Sequence, residues 1–389
     1  MTEKKVYAYV GSWRSTAGKQ FGIGIYEYDE ASGSLKYIET AIGSTLVGIM
    51  HIDTKTNVLY CANEVPNHSE LREGGGGGGQ VLALKIDPQT GGLTLLSRLP
   101  SYGANPSYVV TSADSKFMLA TNYGTKGVSL TKTVKDAFGK HHVVVEHDES
   151  NVVLFPLEPN GAVGEPSDIF KLHGDGPRDF QMSPHAHSIQ RSPSGELYAV
   201  CDKGGDQVFM FKIDAENKRI VLCGVPWKGK AGTAPRYSAF HPELPYLFVD
   251  NEAETTVTSL RYDPAGKLEY ICGVNSMPDD APPLTSIVQT DIRLGKSGKY
   301  IYVLLRVVNA ISVFALDADS GNIKRIQSIK VPSHNPRDCA MSPDGRFLLV
   351  CALEGNKVYS FPIGEDGKLS DPVFAADQPN PGSVIFFEA

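Results

Sequence analysis

The strongest constraint on this chain is an internal repeat. Three fifteen-residue segments align without gaps, at residues 186–200, 235–249 and 336–350. Each begins with a short run typical of a β-strand, crosses a turn marked by Ser-Pro or His-Pro, and continues into a second apolar run. Self-similarity at a fixed spacing indicates a fold built from one repeated unit, so the repeat restricts the architecture before any single motif is considered.

Each repeat unit contains four predicted strands. The aligned segment supplies the first two, a third follows a polar loop, as at residues 207–214, and a weaker fourth follows a glycine, as at residues 266–271. We call the first residue of each inner strand its anchor, and the seven anchors are Gly48, Ser107, His187, Arg236, Thr290, Arg337 and Gly382. Their spacings are 59, 80, 49, 54, 47 and 45 residues, so five of the six lie near fifty and the longest marks an insertion.

The two ends of the chain complement each other. Only seven residues follow Gly382, whereas the chain begins with runs that resemble second, third and fourth strands. The pattern predicts an all-β fold: a seven-bladed β-propeller of four-stranded antiparallel blades, closed by pairing of the N- and C-terminal segments in one blade. We expect residues 1–389 to form a single domain with loop insertions at about 65–80 and 134–150. Residues 132–138 give the one hint of a helical turn.

Composition and charge exclude several classes of protein. Hydrophobic residues make up 41% of the 389 residues and charged residues 21%, which is typical of a globular chain. The 44 acidic residues outnumber the 37 basic ones, which argues against a nucleic-acid partner. The sequence shows neither a signal-peptide pattern nor an apolar run of membrane-spanning length, so we expect a cytoplasmic protein with no membrane partner. The six cysteines form no C-x-x-C pair and are expected to be buried thiols.

The repeat also selects the residues at one rim of the propeller. The start of an inner strand and the end of the second strand share the rim that usually carries the ligand, and here they lie sixteen residues apart. The resulting pairs are His187 with Lys203, Arg236 with Glu252, Thr290 with Arg306, Arg337 with Leu353, Gly48 with Glu64 and Ser107 with Tyr123. Any one of these charges could simply be solvated, but so many in one mouth would repel without pairing or a charged ligand. Because the arginine fork matches a carboxylate or phosphate, the set predicts a small anionic ligand.

Two of the histidines raise the question of a metal. His185 and His187 alternate along a predicted strand, so both imidazoles could begin a metal site. A third ligand is not evident, although His173 and Asp175 could approach. We therefore expect neither a metal nor a cofactor.

At these residues the sequence resembles the seven-bladed lactonase family, which contains the propeller-type 6-phosphogluconolactonases and the fungal 3-carboxy-cis,cis-muconate lactonising enzyme. The matching segments are residues 7–12, 122–124, 184–188, 234–242, 251–252, 291–293, 335–338 and 342–348. The resemblance implies a site made of one histidine, two arginines and a glutamate, which fall on His187, Arg236, Arg306 and Glu252. The repeat had already selected all four.

Three functions follow as hypotheses. The first is a lactonase that hydrolyses an anionic sugar lactone, with 6-phosphogluconolactone as the expected substrate. His187 would act as general base and then as acid, while Glu252 could orient it or be the base itself. The residues expected to contact the substrate are Arg236, Arg306, Arg337, Glu64 and His185.

The second hypothesis is a lactone-forming or isomerising enzyme, in which His187 or Glu252 delivers a proton to carbon on a carboxylated substrate. The third is a non-catalytic propeller that binds a peptide or protein, since fold does not fix function. We expect a monomer or a weak homo-oligomer. The glycine-rich loop at residues 65–80 could act as a flap over the mouth.

Overall fold

The computed structural model describes residues 5–14, 21–66, 78–125, 129–282 and 288–389. Every regular element in those ranges is a β-strand. The strands of the first half are β1 (Val6–Ser12), β2 (Ile23–Tyr28), β3 (Leu35–Ala41), β4 (Val47–Asp53), β5 (Val58–Asn63), β6 (Gln80–Ile86), β7 (Leu93–Pro100), β8 (Pro106–Thr111), β9 (Phe117–Asn122), β10 (Ser129–Lys135), β11 (His141–His147), β12 (Asn151–Pro156), β13 (Asp168–Lys171), β14 (Ala186–Arg191) and β15 (Tyr198–Asp202).

The second half continues the same pattern. Its strands are β16 (Gln207–Asp214), β17 (Arg219–Leu222), β18 (Trp227–Lys228), β19 (Pro235–Phe240), β20 (Tyr246–Asn251), β21 (Thr256–Tyr262), β22 (Leu268–Asn275), β23 (Gln289–Leu294), β24 (Tyr300–Leu305), β25 (Ala310–Leu316), β26 (Ile323–Lys330), β27 (Pro336–Met341), β28 (Phe347–Ala352), β29 (Lys357–Pro362), β30 (Val373–Asp377) and β31 (Pro381–Glu388).

These strands form the seven predicted blades. From the inner strand outward, the blades are β4-β5-β6-β7, β8-β9-β12-β13, β14-β15-β16-β17, β19-β20-β21-β22, β23-β24-β25-β26, β27-β28-β29-β30 and β31-β1-β2-β3. The short strand β18 adds to one blade by pairing with β16. In the last blade, the C-terminal strand β31 pairs antiparallel with β1, with Tyr9 opposite Ile385. The predicted all-β propeller and its closure by the two termini are therefore confirmed.

Burial follows each strand's place in its blade. The second strands β5, β9, β20 and β28 are buried along their whole length, because a neighbouring blade covers each face. Fully burying one valine or leucine contributes about 1.5–3 kcal/mol, so this position selects short, mainly apolar runs. In the outer strand β26 only Ile323 is buried and the other residues are partly or fully exposed, since this strand borders solvent.

Each inner strand begins with a β-bulge. In all seven blades the register between the inner strand and the second strand shifts by one residue, and the extra residue is the anchor. In the blade of β19, Arg236 and Tyr237 together occupy the shifted position. A bulge takes a residue out of the hydrogen-bonded ladder and re-aims its side chain. The anchors therefore form a ring around one end of the channel, in which the five that are not glycine have re-aimed side chains.

The insertion in the second blade is a β-hairpin. Strands β10 and β11 pair only with each other among the described strands, in the register Lys132 opposite Val144. The helical turn suggested for residues 132–138 is wrong, because this stretch is the end of β10 and the turn that leads to β11. Cross-strand pairing of β-branched residues outweighs the weak helical pattern.

Other expectations concern loops, thiols and membrane segments. Most of the glycine-rich loop, residues 67–77, lies outside the described residues, and so does the flap suggested for it. All six cysteines are free thiols; Cys61, Cys201, Cys339 and Cys351 are buried, whereas Cys223 and Cys272 are only partly so. Within the described ranges, no helix has the length and apolarity to cross a membrane.

Candidate active site

One hydrogen bond recurs at the same rim of every blade. The residue that follows each second strand donates its backbone N–H to the carbonyl two residues before the anchor, over 2.9–3.0 Å. The donor and acceptor pairs are Trp13 with Asn380, Glu64 with Leu46, Tyr123 with Asn105, Lys203 with His185, Glu252 with Ala234, Arg306 with Val288, and Leu353 with Asn335. The anchors and the second-strand ends therefore share one rim, which we call the mouth.

A cavity of about 300 Å³ opens at the mouth. Its lining consists of Trp13, Glu64, Asn105, Tyr123, His187, Lys203, Arg236, Glu252, Arg306 and Arg337. The structure thus brings together six of the seven residues predicted for the site, and adds four others. The seventh, His185, does not line the cavity.

Glu252 is the centre of the charged cluster. It is 1% exposed and its carboxylate forms ion pairs with Lys203 and Arg306. Arg236 Nε lies 3.6 Å from Glu252 Oε1. One carboxylate is thus held among three cations, two of which, Lys203 and Arg236, are as deeply buried as Glu252 itself. Burial of unpaired cations would be strongly unfavourable, so Glu252 makes this cluster possible.

A second group of charged residues forms the opposite wall. Arg337 Nη2 lies 3.5 Å from Glu64 Oε2, and the Arg337 guanidinium lies 3.6 Å from the centroid of the Trp13 ring. Trp13 Nε1 donates a hydrogen bond of 2.6 Å to the same Glu64 oxygen. The indole therefore holds both members of the ion pair in place through a cation–π contact and a hydrogen bond.

His187 is held neutral by its surroundings. Burial, followed by the positive charges of Arg236, Lys203 and Arg337, lowers the pKa of its imidazole well below 6.5. Its Nδ1 atom is buried and has no hydrogen-bond partner among the described residues. The ring packs edge-on against Tyr123, with centroids 5.5 Å apart, and tilted against Tyr237 at 5.3 Å. At neutral pH this imidazole is therefore unprotonated, which is the form that a general base requires.

Several buried guanidinium atoms also lack partners. Arg236 Nε and Nη1, and Arg337 Nε, have no hydrogen-bond partner in the part of the chain that the structure describes. Burial, together with the nearby charges of Arg236 and Arg337, lowers the pKa of Arg306 to about 9, which still leaves it charged at pH 7. Buried polar groups are normally satisfied, so such donors indicate a place where a ligand supplies the acceptors.

His185 supports the cavity wall from behind. It is 3% exposed, stacks on Tyr123 with ring centroids 4.3 Å apart, and places Nδ1 2.9 Å from the Tyr123 carbonyl oxygen. Tyr123 thus lies between His185 and His187, and only His187 reaches the cavity. Among the described residues, no three histidine, cysteine, aspartate or glutamate side chains are grouped as metal ligands.

Three of the four additional lining residues follow from the same rim geometry. Lys203 and Tyr123 are second-strand ends that the sixteen-residue rule had already paired with His187 and Ser107. Trp13 is the seventh second-strand end, and the rule missed it because the chain termini separate it from its anchor, Gly382. The sequence did contain a signal for Trp13, because this residue directly follows the strand that serves as the second strand of the closing blade. Asn105 has a positive φ of 51° before the bulge at Ser107, which sequence spacing does not reveal.

The net charge of the residues that line the cavity is positive, whereas the net charge of the whole chain is negative. Lys203, Arg236, Arg306 and Arg337 contribute four positive charges against two from Glu64 and Glu252, an excess of two, whereas the whole chain carries −7. A confined cavity with an excess of one sign concentrates ligands of the opposite sign. The site is therefore suited to a small anion.

A larger groove of about 650 Å³ lies elsewhere, lined in part by Arg178, Lys230 and Asp279. Its charged groups are solvated: the side chains of Lys230 and Asp279 are 79% and 95% exposed. None of its described lining residues carries a buried, unsatisfied donor like those of the mouth, so the mouth is the stronger candidate for a catalytic site.

Comparison with known proteins identifies relatives that match almost the whole chain. A curated protein from Bacillus subtilis named 6-phosphogluconolactonase is 27% identical over 385 residues, which covers 98% of both chains. One of the same name from Formosa agariphila is 24% identical over 90% of both chains. A solved structure described as the periplasmic gluconolactonase of Pseudomonas aeruginosa superposes with a TM-score of 0.84 at 22% identity, covering 98% of this chain and 99% of that one.

A family model also matches nearly the whole chain. The model of the family described as lactonase, 7-bladed beta-propeller, matches residues 7–386, which includes all seven blades and every lining residue of the mouth. This chain is therefore a member of the seven-bladed β-propeller lactonase family.

Proposed function

We propose that the protein hydrolyses an anionic sugar lactone at the mouth, and that 6-phosphoglucono-δ-lactone is its substrate. The observation that carries the proposal is the juxtaposition of a neutral imidazole, His187, with the unsatisfied guanidinium donors of Arg236 and Arg337. A lactonase needs a base to activate water and donors to stabilise the oxyanion that forms on the lactone carbonyl. The printed names of the relatives favour the same reaction.

His187 is the better candidate for the base. It lines the cavity, and its lowered pKa leaves it neutral at pH 7. Both carboxylate oxygens of Glu252 lie near cations, so its charge already serves to hold Lys203, Arg236 and Arg306. In this mechanism His187 takes a proton from the attacking water and returns it to the ring oxygen as the C–O bond breaks, while Glu252 positions the cations.

The arginines divide the remaining work. Arg236 lies beside His187 and carries two unsatisfied donor atoms, so it faces the developing oxyanion. Arg337 and Arg306 hold the phosphate, because their guanidinium groups can each present two parallel donors to its oxygens. Removing one oxyanion donor typically costs about 3–4 kcal/mol of transition-state stabilisation.

The size of the cavity favours a small molecule over a peptide. A volume of about 300 Å³ lies at the lower end of the range for small-molecule sites. The test is a comparison of freshly prepared 6-phosphoglucono-δ-lactone with glucono-δ-lactone, after subtraction of the spontaneous rates. Because the excess positive charge acts on the phosphate, kcat/KM should be at least about ten-fold higher for the phosphorylated lactone, which corresponds to one charge-assisted contact.

A carboxylated muconate and its lactone belong in the same comparison. Turnover of either, with sugar lactones hydrolysed only at the spontaneous rate, would overturn the proposed substrate and support the lactone-forming hypothesis. Absence of turnover on every compound would favour a binding propeller.

A further inference from the structure

The β10–β11 hairpin is the most unusual surface feature of the molecule. It leaves the propeller between β9 and β12, and no other strand in the described ranges pairs with either of its edges. Every residue of β11 is exposed, including Val143, Val144 and Val145 at 69%, 38% and 51%, and Phe138 near the turn is 96% exposed. An isolated two-stranded hairpin is only marginally stable in water, and an apolar one with open edges invites pairing.

The free edge of β11 has few of the features that normally protect such edges, Glu146 being its only acidic residue. Charged residues, especially lysine, keep open strands from pairing with other chains. The outer strand β26 follows this rule with Lys324, Arg325 and Lys330. In contrast, β11 contains no lysine, arginine or proline and has three consecutive valines at its centre.

The sequence of β11 is complementary to itself in the antiparallel direction. When two copies of β11 pair antiparallel, a two-fold axis perpendicular to the shared sheet relates them, and the residue at the axis faces its own copy. Only an axis at Val144, the central residue, gives all seven residues of the strand a partner. Val143 then faces Val145 of the second copy, and His142 faces Glu146. Valine pairs and a pairing of imidazole with carboxylate are both favourable across antiparallel strands.

The two edges of the hairpin differ in this respect. The equivalent axis on β10 would pass through Lys132 and would set two lysines opposite each other, which is destabilising. On β11, existing ion pairs extend the complementarity, since His142 Nε2 lies 2.7 Å from Asp136 Oδ2 and Lys132 pairs with Glu146. In the dimer, these contacts would form one continuous row. Asp136 and His142 of one copy would be followed by Glu146 and Lys132 of the other copy.

We propose that β11 is a dimerisation strand, through which two copies of this chain join their hairpins into one four-stranded antiparallel sheet centred on Val144. The partner of this edge is a second copy of the chain, because the order of histidine, valine and glutamate along β11 is complementary to itself in the antiparallel direction. The interface is small, with one seven-residue strand from each copy, so the dimer dissociates on dilution. This inference does not depend on the proposed function.

The experiment is sedimentation velocity of the full-length protein over a concentration series. The wild type should shift from monomer to dimer, and Val144→Lys should remain monomeric at concentrations at which the wild type is dimeric, since it sets two lysines opposite each other at the axis. Val134→Lys is the matched control: Val134 is similarly exposed, at 41% against 38%, but lies on β10. It should dimerise like the wild type.

A charge exchange tests the register. Glu146→Lys alone sets an imidazole opposite a lysine, and His142→Glu alone sets two carboxylates opposite each other. The two-fold axis repeats this pair, so each single variant alters two cross-strand pairs and should raise the dimer Kd by at least about two-fold. The double variant, His142→Glu with Glu146→Lys, places opposite charges across the axis again and should bind more tightly than either single variant, although it loses the pairs with Asp136 and Lys132 inside each hairpin. A recovery of this kind cannot result from misfolding.

A cysteine at the axis gives an independent measurement. Directly opposite residues of an antiparallel pair have Cα atoms about 4.5–5.5 Å apart, within the range of a disulfide. Val144→Cys should therefore form a covalent dimer under mild oxidation, whereas Val134→Cys should not. A wild type that stays monomeric at every concentration, or a Val144→Lys dimer as tight as the wild type, would overturn the proposal.

Discussion

His187 and Arg236 occupy the same position in neighbouring blades: each is the anchor at the bulge that begins its inner strand, β14 or β19. The bulge turns both side chains into the mouth, where Arg236 is one of the cations that lower the pKa of His187. A repeated structural irregularity thus brings the proposed base and the proposed oxyanion donor side by side.

Glu252 is expected to be essential for stability as well as for activity. Glu252→Gln leaves the cations Lys203, Arg306 and Arg236 without their shared carboxylate, and breaking such a buried cluster typically costs about 3–5 kcal/mol. Urea unfolding followed by circular dichroism measures this loss. Glu64→Gln is the control, because Glu64 is partly exposed and pairs with one arginine, so its loss should be clearly smaller. Equal losses would contradict the central position assigned to Glu252.

Anion binding should be visible through Trp13. The chain has two tryptophans, so Trp227→Phe leaves Trp13, which lies against Arg337 in the cavity, as the single indole. Titration with inorganic phosphate should change the fluorescence of this variant. Arg337→Met in the same background should weaken phosphate binding by about ten- to a hundred-fold, the effect of one charge-assisted hydrogen bond. An unchanged phosphate affinity would exclude Arg337 as an anion ligand.

His51 provides a pH test of the fold that does not involve the mouth. Burial, followed by the charge of Arg191, lowers its pKa to about 4, and its Nε2 lies 2.9 Å from Thr111 Oγ1. Between pH 6.5 and 4 the unfolded chain therefore binds a proton at His51 that the folded protein does not. The stability contributed by neutral His51 is present above pH 6.5 and is lost as the pH falls.

The measurement is the free energy of unfolding of wild type and His51→Gln across this range. The wild type should lose up to about 1.4 kcal/mol per pH unit relative to the variant. The difference between the two proteins is the informative quantity, because Asp202 and Asp250, whose pKa values burial raises to about 6, act in the opposite direction in both. Parallel curves would show that His51 is not held neutral in the folded protein.

The sequence predicts the fold almost completely, because a repeat fixes the number of blades and complementary termini fix the closure. The same periodicity identifies residues such as Arg236 and Glu252, since sixteen residues separate the two strand ends that meet at the rim. Trp13 escaped this reasoning because chain closure, rather than spacing, brings it to its anchor. The role of His185 was also beyond spacing: the bulge at His187 breaks strict alternation, so His185 packs behind Tyr123.

The charge network could not be derived from the sequence either. Spacing placed Lys203, Arg306 and Glu252 at one rim, but it did not show that one carboxylate serves all the cations around it. The prediction of a helical turn in the insertion was wrong, because the helical pattern of residues 132–138 is too short to outweigh the pairing of β10 with β11. Partner choice within a ring of charges depends on side-chain geometry, which a repeat alone does not determine.

The most direct test of the account is the hydrolysis of freshly prepared 6-phosphoglucono-δ-lactone by wild type and His187→Gln, with the spontaneous rate subtracted. Wild type should show saturable activity, and the variant should lose about 10²–10⁴-fold in kcat, the usual contribution of a general base, with a smaller change in KM. His147→Gln, an exposed histidine of β11, serves as control and should match wild type. A wild-type rate equal to the spontaneous rate, or a His187→Gln enzyme as fast as wild type, would contradict the account.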